Sequence, residues 1–251
     1  MNSAVRMIGD AGLEYVEIWG EVPHAYPAWV DRKKLKDTLS TYKMYVTAHA
    51  PFTDLNPASP FQPVKGAVEH TLEDFISFAE YLGVSMVTVH PGSVHSEALV
   101  PQSVQSSIST LKRVVRAGGG RLTVNVENQA KSNGHYHFPL CSTLESLELI
   151  IAEVDGLHFT LDTSHAHVNG QRPLELAERL GSMLAEVHLS DNSGSTDDHL
   201  VPGEGNAPLG ELLNKLSIGE LPVCLEIDPY RYTEEQVMSA AVRMKDALRR
   251  S

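Results

Sequence analysis

Short apolar runs recur along the chain, and longer amphipathic segments separate them. Near-continuous apolar runs rich in valine, leucine and isoleucine are typical of strands that are covered on both faces, as in parallel sheets. The runs predict parallel strands at residues 15–19, 44–48, 86–89, 122–126, 157–161, 184–189 and 222–225.

The segments between these runs carry apolar residues three and four positions apart, which places those residues on one face of an α-helix. They predict helices at residues 1–11, 31–42, 64–82, 103–117, 144–154, 174–180, 209–216 and 234–248. Strands that alternate with helices are joined by right-handed crossovers and form a parallel sheet.

A glycine precedes most of the predicted strands by a few residues. Glycine adopts the left-handed conformation that closes a helix, so each of these glycines is expected to end the preceding helix. They are Gly12, Gly83, Gly120, Gly156, Gly181 and Gly219.

Six of the predicted strands are followed directly by, or end close to, a residue that can bind a metal. A barrel brings the carboxyl ends of all its strands to one mouth, whereas an open doubly wound sheet would not gather six of them around one point. We therefore predict an α/β fold, a TIM-type (β/α) barrel forming a single domain over residues 1–251. The six residues are His49, His90, Glu127, Asp162, His188 and Glu226.

The start of the chain departs from this barrel pattern. An eight-unit barrel should begin with a strand, yet the first predicted element is a helix. The first strand is thus expected to be missing, either because the natural start lies upstream of Met1 or because the barrel is incomplete.

The charge balance narrows the class of partner. The formal net charge is −12, which disfavours nucleic acid because affinity for phosphates comes mainly from basic groups. The short basic runs at 31–36 and 243–250 are interpreted as exposed helix faces.

No apolar run is long enough to span a membrane, and no secretory signal is apparent. The two cysteines have no metal-binding spacing, which favours a reducing compartment and hence the cytoplasm.

Three carboxylates are expected to meet at the predicted mouth. Glu127, Asp162 and Glu226 each follow an apolar strand, and buried carboxylates repel one another unless a cation lies between them. His188 completes a set of oxygen and nitrogen donors suited to Mn²⁺, Mg²⁺, Fe²⁺ or Zn²⁺. A single histidine at a strand end is more often structural, so the prediction depends on the whole set. Additional metal ligands are expected at His49, His90, His165, Asp197 and His199, and substrate contacts at Glu17, Glu21 and His24.

From about residue 12 to 227 the sequence resembles the xylose-isomerase-like barrels, which include sugar and sugar-phosphate isomerases and epimerases and the endonuclease IV family. In the isomerase branch, the resemblance implies one Mn²⁺-type ion held by Glu127, Asp162, His188 and Glu226. In the endonuclease branch it implies three zinc ions, held by these four residues together with His49, His90, His165, Asp197 and His199. The segments that carry the resemblance are His90-Pro91-Gly92, Val126-Glu127-Asn128, Asp162-Thr163-Ser164-His165, His188-Leu189-Ser190-Asp191-Asn192, Asp198-His199-Leu200-Val201-Pro202-Gly203-Glu204-Gly205 and Leu225-Glu226-Ile227.

Two loops favour the isomerase branch. The loop at 20–27 lacks the arginine that the repair enzymes insert into DNA, and the loop at 190–198 contains no lysine or arginine. Because phosphate contacts dominate DNA affinity, we expect a small polyhydroxy substrate. Glu127 and Glu226 are the expected proton carriers on opposite faces of an enediolate-like intermediate, with Mn²⁺ or Zn²⁺ as cofactor. The alternative is an endonuclease IV-like, three-zinc apurinic/apyrimidinic phosphodiesterase; a lyase, a dehydratase or an inactive relative also remains open.

Overall fold

The computed structural model describes residues 1–131, 138–215 and 221–249. Its main sheet has the strand order β1-β2-β3-β5-β7-β8-β9, and every neighbouring pair is parallel. This confirms all the predicted strands to within one residue at either end. The strands are β1 (Tyr15–Trp19), β2 (Tyr45–His49), β3 (Met86–Val89), β4 (Ser93–Val94), β5 (Thr123–Glu127), β6 (Phe138–Pro139), β7 (Leu157–Asp162), β8 (Leu184–Leu189) and β9 (Val223–Leu225).

Helices flank this sheet, and all the predicted helices are present. The last residue of one of them, Leu216, lies outside the described residues. None of the described helices is both long enough and apolar enough to cross a membrane. The helices are α1 (Asn2–Asp10), α2 (Arg32–Tyr42), α3 (Gln62–Leu82), α4 (Val100–Gly118), α5 (Leu144–Glu153), α6 (Thr163–Val168), α7 (Pro173–Arg179), α8 (Leu209–Lys215) and α9 (Glu234–Leu248), with a 3-10 turn at Glu97–Leu99.

The barrel is nearly closed by seven strands. Cα atoms of β1 and β9 approach to within 8 Å. Among the described residues, however, no strand pairs with the outer edge of either one. The expected empty strand position is therefore a seam between β1 and β9.

Two of the six glycines behave as predicted. Gly83 caps α3 with a φ of 83°, and Gly12, with a φ of 70°, directly follows the cap of α1. Gly156 is left-handed, with a φ of 79°, but α5 has already ended at Val154. At Gly120 the prediction is off by one residue, because the left-handed Gly119 already closes α4. It was wrong at Gly181, which is not left-handed: α7 ends at Leu180 in a right-handed turn closed by a hydrogen bond from Met183 N–H to Leu180 O. Gly219 lies outside the described residues.

A layer of polar side chains fills the barrel two residues before the mouth on each contributing strand. The carboxylate of Glu186 is fully buried and accepts hydrogen bonds from Tyr15, from Thr47 at 2.9 Å and from Thr88 at 2.8 Å. These partners lie on β1, β2 and β3, whereas Glu186 lies on β8. The layer therefore links strands on both sides of the seam, while aliphatic side chains fill the space between sheet and helices.

Candidate metal centre

The predicted mouth residues converge. Each of Glu127, Asp162, His188 and Glu226 offers a ligand atom that lies within 4.8 Å of the others. The Nδ1 atom of His188 is 2.9 Å from Glu127 Oε1 and 3.1 Å from Glu226 Oε2. Four strands supply these side chains because each strand ends at the same edge of the parallel sheet.

Two buried oxygens of this group have no hydrogen-bond partner. They are Asp162 Oδ2, on a fully buried side chain, and Glu226 Oε2, which is buried although 41 % of its side chain is exposed. Buried polar atoms are normally paired, and a cation between the carboxylates would satisfy both oxygens. The donor set of carboxylate oxygens and one imidazole nitrogen therefore fits a divalent ion.

The three carboxyl groups respond differently to their shared environment. Burial favours the protonated form of Glu127, but hydrogen bonds from His188, His49 and His90 outweigh it and hold the Glu127 pKa well below its usual range. Burial opposes the charge on Glu226 too, yet His188 lowers that pKa to about 2. For Asp162, burial raises the pKa to about 7. Asp162 is thus the carboxylate that most needs a cation.

Two histidines of the mouth, His188 and His49, have raised pKa values, whereas burial lowers the pKa of His90. Burial disfavours the charged form of His188, but Glu17 and Glu226 raise its pKa well above the ordinary value. Hydrogen bonding to Glu127 likewise overcomes burial and raises the pKa of His49 to about 9. The surrounding carboxylates therefore favour positive charge at these two rings, as they would favour a bound metal ion.

A second group of ligands adjoins the first. His90 Nε2 lies 2.8 Å, and His49 Nε2 3.6 Å, from Glu127 Oε2. The ring of Phe52 stacks on His90 with centroids 4.3 Å apart and covers this side of the mouth. Glu127 thus lies between the two groups, with one oxygen facing each.

A third group lies on the opposite side of Asp162. His165 Nε2 and His199 Nε2 are each 3.1 Å from Asp197 Oδ2. Asp162 is also the N-cap of α6, since its Oδ1 accepts the N–H of His165 at 2.6 Å. The structure therefore brings all nine predicted ligands into three neighbouring groups.

The three predicted substrate-contact residues have different surroundings. Glu17 Oε2 lies 3.3 Å from His188 Nε2, behind the metal-ligand group. Glu21 is buried, and its Oε1 accepts the backbone N–H groups of Phe52 and Thr53 at 2.5 and 2.6 Å, so it anchors a loop. His24 stacks on Trp19 at 4.6 Å. Contact of these side chains with a substrate stays a prediction.

Sequence reasoning missed the polar residues that hold the mouth together. Asn128 joins β5 to β7 by donating to Asp162 O at 2.9 Å and accepting from Asp162 N–H at 2.8 Å. Gln129 donates to Glu127 Oε2 at 2.9 Å. Both residues directly follow the strand-end glutamate, and that position was the available signal.

Asp191, another missed residue, organises the loop at 200–207. Its carboxylate accepts the backbone N–H groups of Gly203, Gly205 and Ala207 at 2.9, 3.1 and 2.9 Å. These N–H groups are consequently engaged within the protein. The loop is a turn built around Asp191, and it directly follows His199.

Known proteins with similar sequences or structures give a comparison for this chain. An uncharacterised protein of Methanocaldococcus jannaschii is 33 % identical over 224 residues, covering 86 % of this chain and 74 % of that protein. Fructoselysine 3-epimerase of Escherichia coli O157:H7 is 25 % identical over 229 residues, covering 86 % of this chain and 80 % of the enzyme. The crystal structure of a D-tagatose 3-epimerase-like protein superposes with a TM-score of 0.87 at 29 % identity, covering 99 % of this chain and 93 % of that one.

The family comparison spans almost the whole sequence. Residues 5–248 match the model of the xylose isomerase-like TIM barrel, in agreement with the seven-stranded parallel sheet and its helices. The chain therefore belongs to the xylose isomerase-like TIM barrel family.

Proposed function

We propose that this protein is a divalent-metal-dependent isomerase or epimerase of a small sugar, with 3-epimerisation of a ketose as the favoured reaction. The convergence of Glu127, Asp162, His188 and Glu226 at the barrel mouth is the observation that carries this proposal. The similarity to two proteins named as 3-epimerases or as 3-epimerase-like supports the choice of carbon.

The four mouth residues would hold one ion, manganese or zinc, through three carboxylates and Nδ1 of His188. A bound divalent ion polarises a substrate carbonyl and so makes the proton on the neighbouring carbon more acidic. In a ketose, that carbon is C3, next to the C2 carbonyl.

Glu127 and Glu226 are the proposed proton carriers. They approach His188 Nδ1 from the ends of different strands, at 2.9 and 3.1 Å, and the substrate would lie between them. One carboxylate takes the C3 proton, and the electron pair moves onto the carbonyl oxygen to give an enediolate. The other group, in its acid form, returns a proton to the opposite face of C3, and the configuration inverts.

The surroundings of the mouth suit a neutral polyhydroxy compound. Trp19, His24 and Phe52 form an aromatic wall beside the metal-ligand groups. Arg231 is engaged by Asp198 at 3.0 Å and by Asp228 at 3.3 Å, so its charge is neutralised within the protein. A DNA groove instead needs basic side chains directed at phosphates.

A second candidate function is phosphodiester cleavage at abasic sites in DNA. The adjacency of all three ligand groups favours it, since that chemistry in the resembling family uses three zinc ions. The acidic net charge of −12 and the engaged Arg231 oppose it.

One assay separates the two functions. The metal-loaded protein is incubated with a panel of ketoses and with a duplex carrying one abasic site, in parallel with E127Q and E226Q. We expect a 3-epimeric ketose as product, and a loss of at least about 10³-fold in either variant because each carboxylate both binds the ion and moves a proton. Strand cleavage by the wild type that E226Q abolishes would establish the second function instead.

We propose that the protein acts in a reducing compartment such as the cytoplasm, because such compartments favour free thiols and both Cys141 and Cys224 are free.

A further inference from the structure

The far side of His188 faces a second pair of carboxylates. Its Nε2 atom is buried, has no hydrogen-bond partner and lies 3.3 Å from Glu17 Oε2. The Glu17 side chain is only 9 % exposed, and its other oxygen, Oε1, is also buried without a partner. Glu17, Glu186 and His188 all offer ligand-type atoms within 4.8 Å of one another.

Of these two carboxylates, Glu17 is the one available to His188. Both oxygens of Glu186 already accept hydrogen bonds, Oε1 from Tyr15 and Thr47 and Oε2 from Thr88. A second ion among these three residues would have to displace those hydroxyl groups. It would also need His188 to bind ions through both ring nitrogens. A hydrogen bond from His188 to Glu17 requires neither.

A His188 ring that binds an ion is neutral, and its single proton can lie on either Nδ1 or Nε2. A proton on Nδ1 would be held by Glu127 Oε1 at 2.9 Å, but Nδ1 would then lose the lone pair that an ion needs. A proton on Nε2 leaves Nδ1 free, and Glu17 is the carboxylate placed to accept it.

We propose that Glu17 is a positioning residue that accepts the Nε2–H of His188 and thereby keeps Nδ1 as a ligand directed at the metal-ligand group. This inference rests on the metal centre of the proposed function but not on the reaction or the substrate. Glu17 faces Nε2, on the side of the ring away from Glu127 and Glu226, so it acts on the metal centre through His188.

The first test measures ion affinity without any substrate. Mn²⁺ and Zn²⁺ affinities are determined by competition with a chromophoric chelator for the wild type, E17Q and E69Q. Outer partners of metal-bound histidines typically change affinity by about 10- to 100-fold, and we expect that loss in E17Q. Glu69, on α3, is the matched control, because it is equally buried, with 8 % of its side chain exposed, and it pairs with Arg113 on α4 at 2.7 Å. E69Q should bind ions as the wild type does.

The second test needs no change at Glu17. In zinc-loaded wild-type protein with ¹⁵N-labelled histidine, the His188 signals are identified by their loss in H188Q. We expect a proton on Nε2 that exchanges slowly with solvent, together with a metal-shifted Nδ1. A proton on Nδ1, or zinc at Nε2, would overturn the inference even if E17Q failed to fold.

The outcomes distinguish a failure of the proposed metal centre from a failure of the role of Glu17. A wild type that binds no ion would remove both the proposed metal centre and the inference. A wild type and an E17Q variant that bind ions equally tightly would overturn the role of Glu17 alone.

Discussion

At the scale of single residues, the buried carboxylates at the mouth favour a bound cation. Asp162 is fully buried near Glu127 and Glu226, and burial together with those two carboxylates favours its protonated form. A cation reverses this preference, because it stabilises all three carboxylates at once. The negative charge of Asp162 should therefore increase the affinity for the ion and decrease the stability of the ion-free protein.

Replacing Asp162 with asparagine tests that opposition. We expect D162N to stabilise the ion-free protein by about 1–4 kcal/mol at pH 8, since an amide avoids the buried charge. The same change should abolish the increase in melting temperature that Mn²⁺ or Zn²⁺ produces in the wild type. Denaturant unfolding with and without ion measures both effects, and D155N, at an exposed aspartate, should show neither. An ion-free D162N less stable than the wild type would contradict this reading of Asp162.

The shifted pKa values also predict how stability depends on pH. Asp162, with a pKa raised to about 7, stabilises the ion-free fold below its ordinary pKa of 3.8, and this contribution is lost as the pH rises through about 7. His49, with a pKa raised to about 9, contributes fully below 6.5 and loses its contribution as the pH rises through about 9. The melting temperature of chelator-treated protein should therefore fall by roughly a few °C between pH 6 and pH 9.

The ion-loaded protein provides the comparison for this pH series. A bound ion replaces the protons, so its melting temperature should fall less over the same range, and the ion-induced stabilisation should grow with pH. If the melting temperatures of the two forms changed in parallel with pH, protonation of these groups would not be linked to ion binding.

At the scale of secondary-structure elements, the strands were predictable because apolar runs and the polar residue after each run are local features. The residues His49, His90, Glu127, Asp162, His188 and Glu226 could therefore be placed at one mouth from sequence alone. The short helix α6 was missed because its six residues follow β7 directly and its N-cap is the predicted ligand Asp162. Asp191 was missed because its partners, the backbone N–H groups of a loop, leave no pattern of side chains in the sequence.

The loop around Asp191 should be intolerant of added volume at Gly205. A Cβ atom there would lie 2.4 Å from both Asn192 O and Asp191 Oδ1. We expect G205A to lower the free energy of unfolding by about 1–3 kcal/mol, because backbone atoms cannot move aside cheaply. Urea unfolding followed by circular dichroism measures it.

Gly210 is the matched control for that substitution. It lies in α8, and a Cβ atom there would meet nothing within 4 Å. G210A should leave stability unchanged or raise it by up to about 1 kcal/mol. Equal effects of the two substitutions would show that the turn is not held as described.

At the scale of the whole molecule, the barrel is joined across its seam by side chains. Strands β1 and β9 do not pair, but Tyr15 on β1 donates to the buried Glu186 on β8. Sequence reasoning predicted the missing strand but not this polar layer, because the partners come from distant strands and meet only when the sheet curves.

Removing the Tyr15 hydroxyl tests the importance of this link. A hydrogen bond to a buried carboxylate contributes about 1.5–3 kcal/mol, so Y15F should destabilise the protein by that amount in chemical unfolding. Tyr45 is the control: its ring neighbours that of Tyr15 at 6.2 Å, but 44 % of the residue is exposed. Y45F should change stability by less than about 0.5 kcal/mol. A Y15F protein as stable as Y45F would mean that the seam does not depend on this contact.

The most direct test of the metal-dependent epimerase account is hydrogen exchange at C3 of a ketose in deuterated water. Substrate is incubated with ion-loaded protein, with chelator-treated protein and with ion-loaded E226Q, and the C3 proton signal is followed by NMR. We expect deuterium to replace the C3 proton only with the ion-loaded wild type, and both C3 epimers to become labelled. The absence of exchange in every ketose tested, with the ion bound at the mouth, would contradict it.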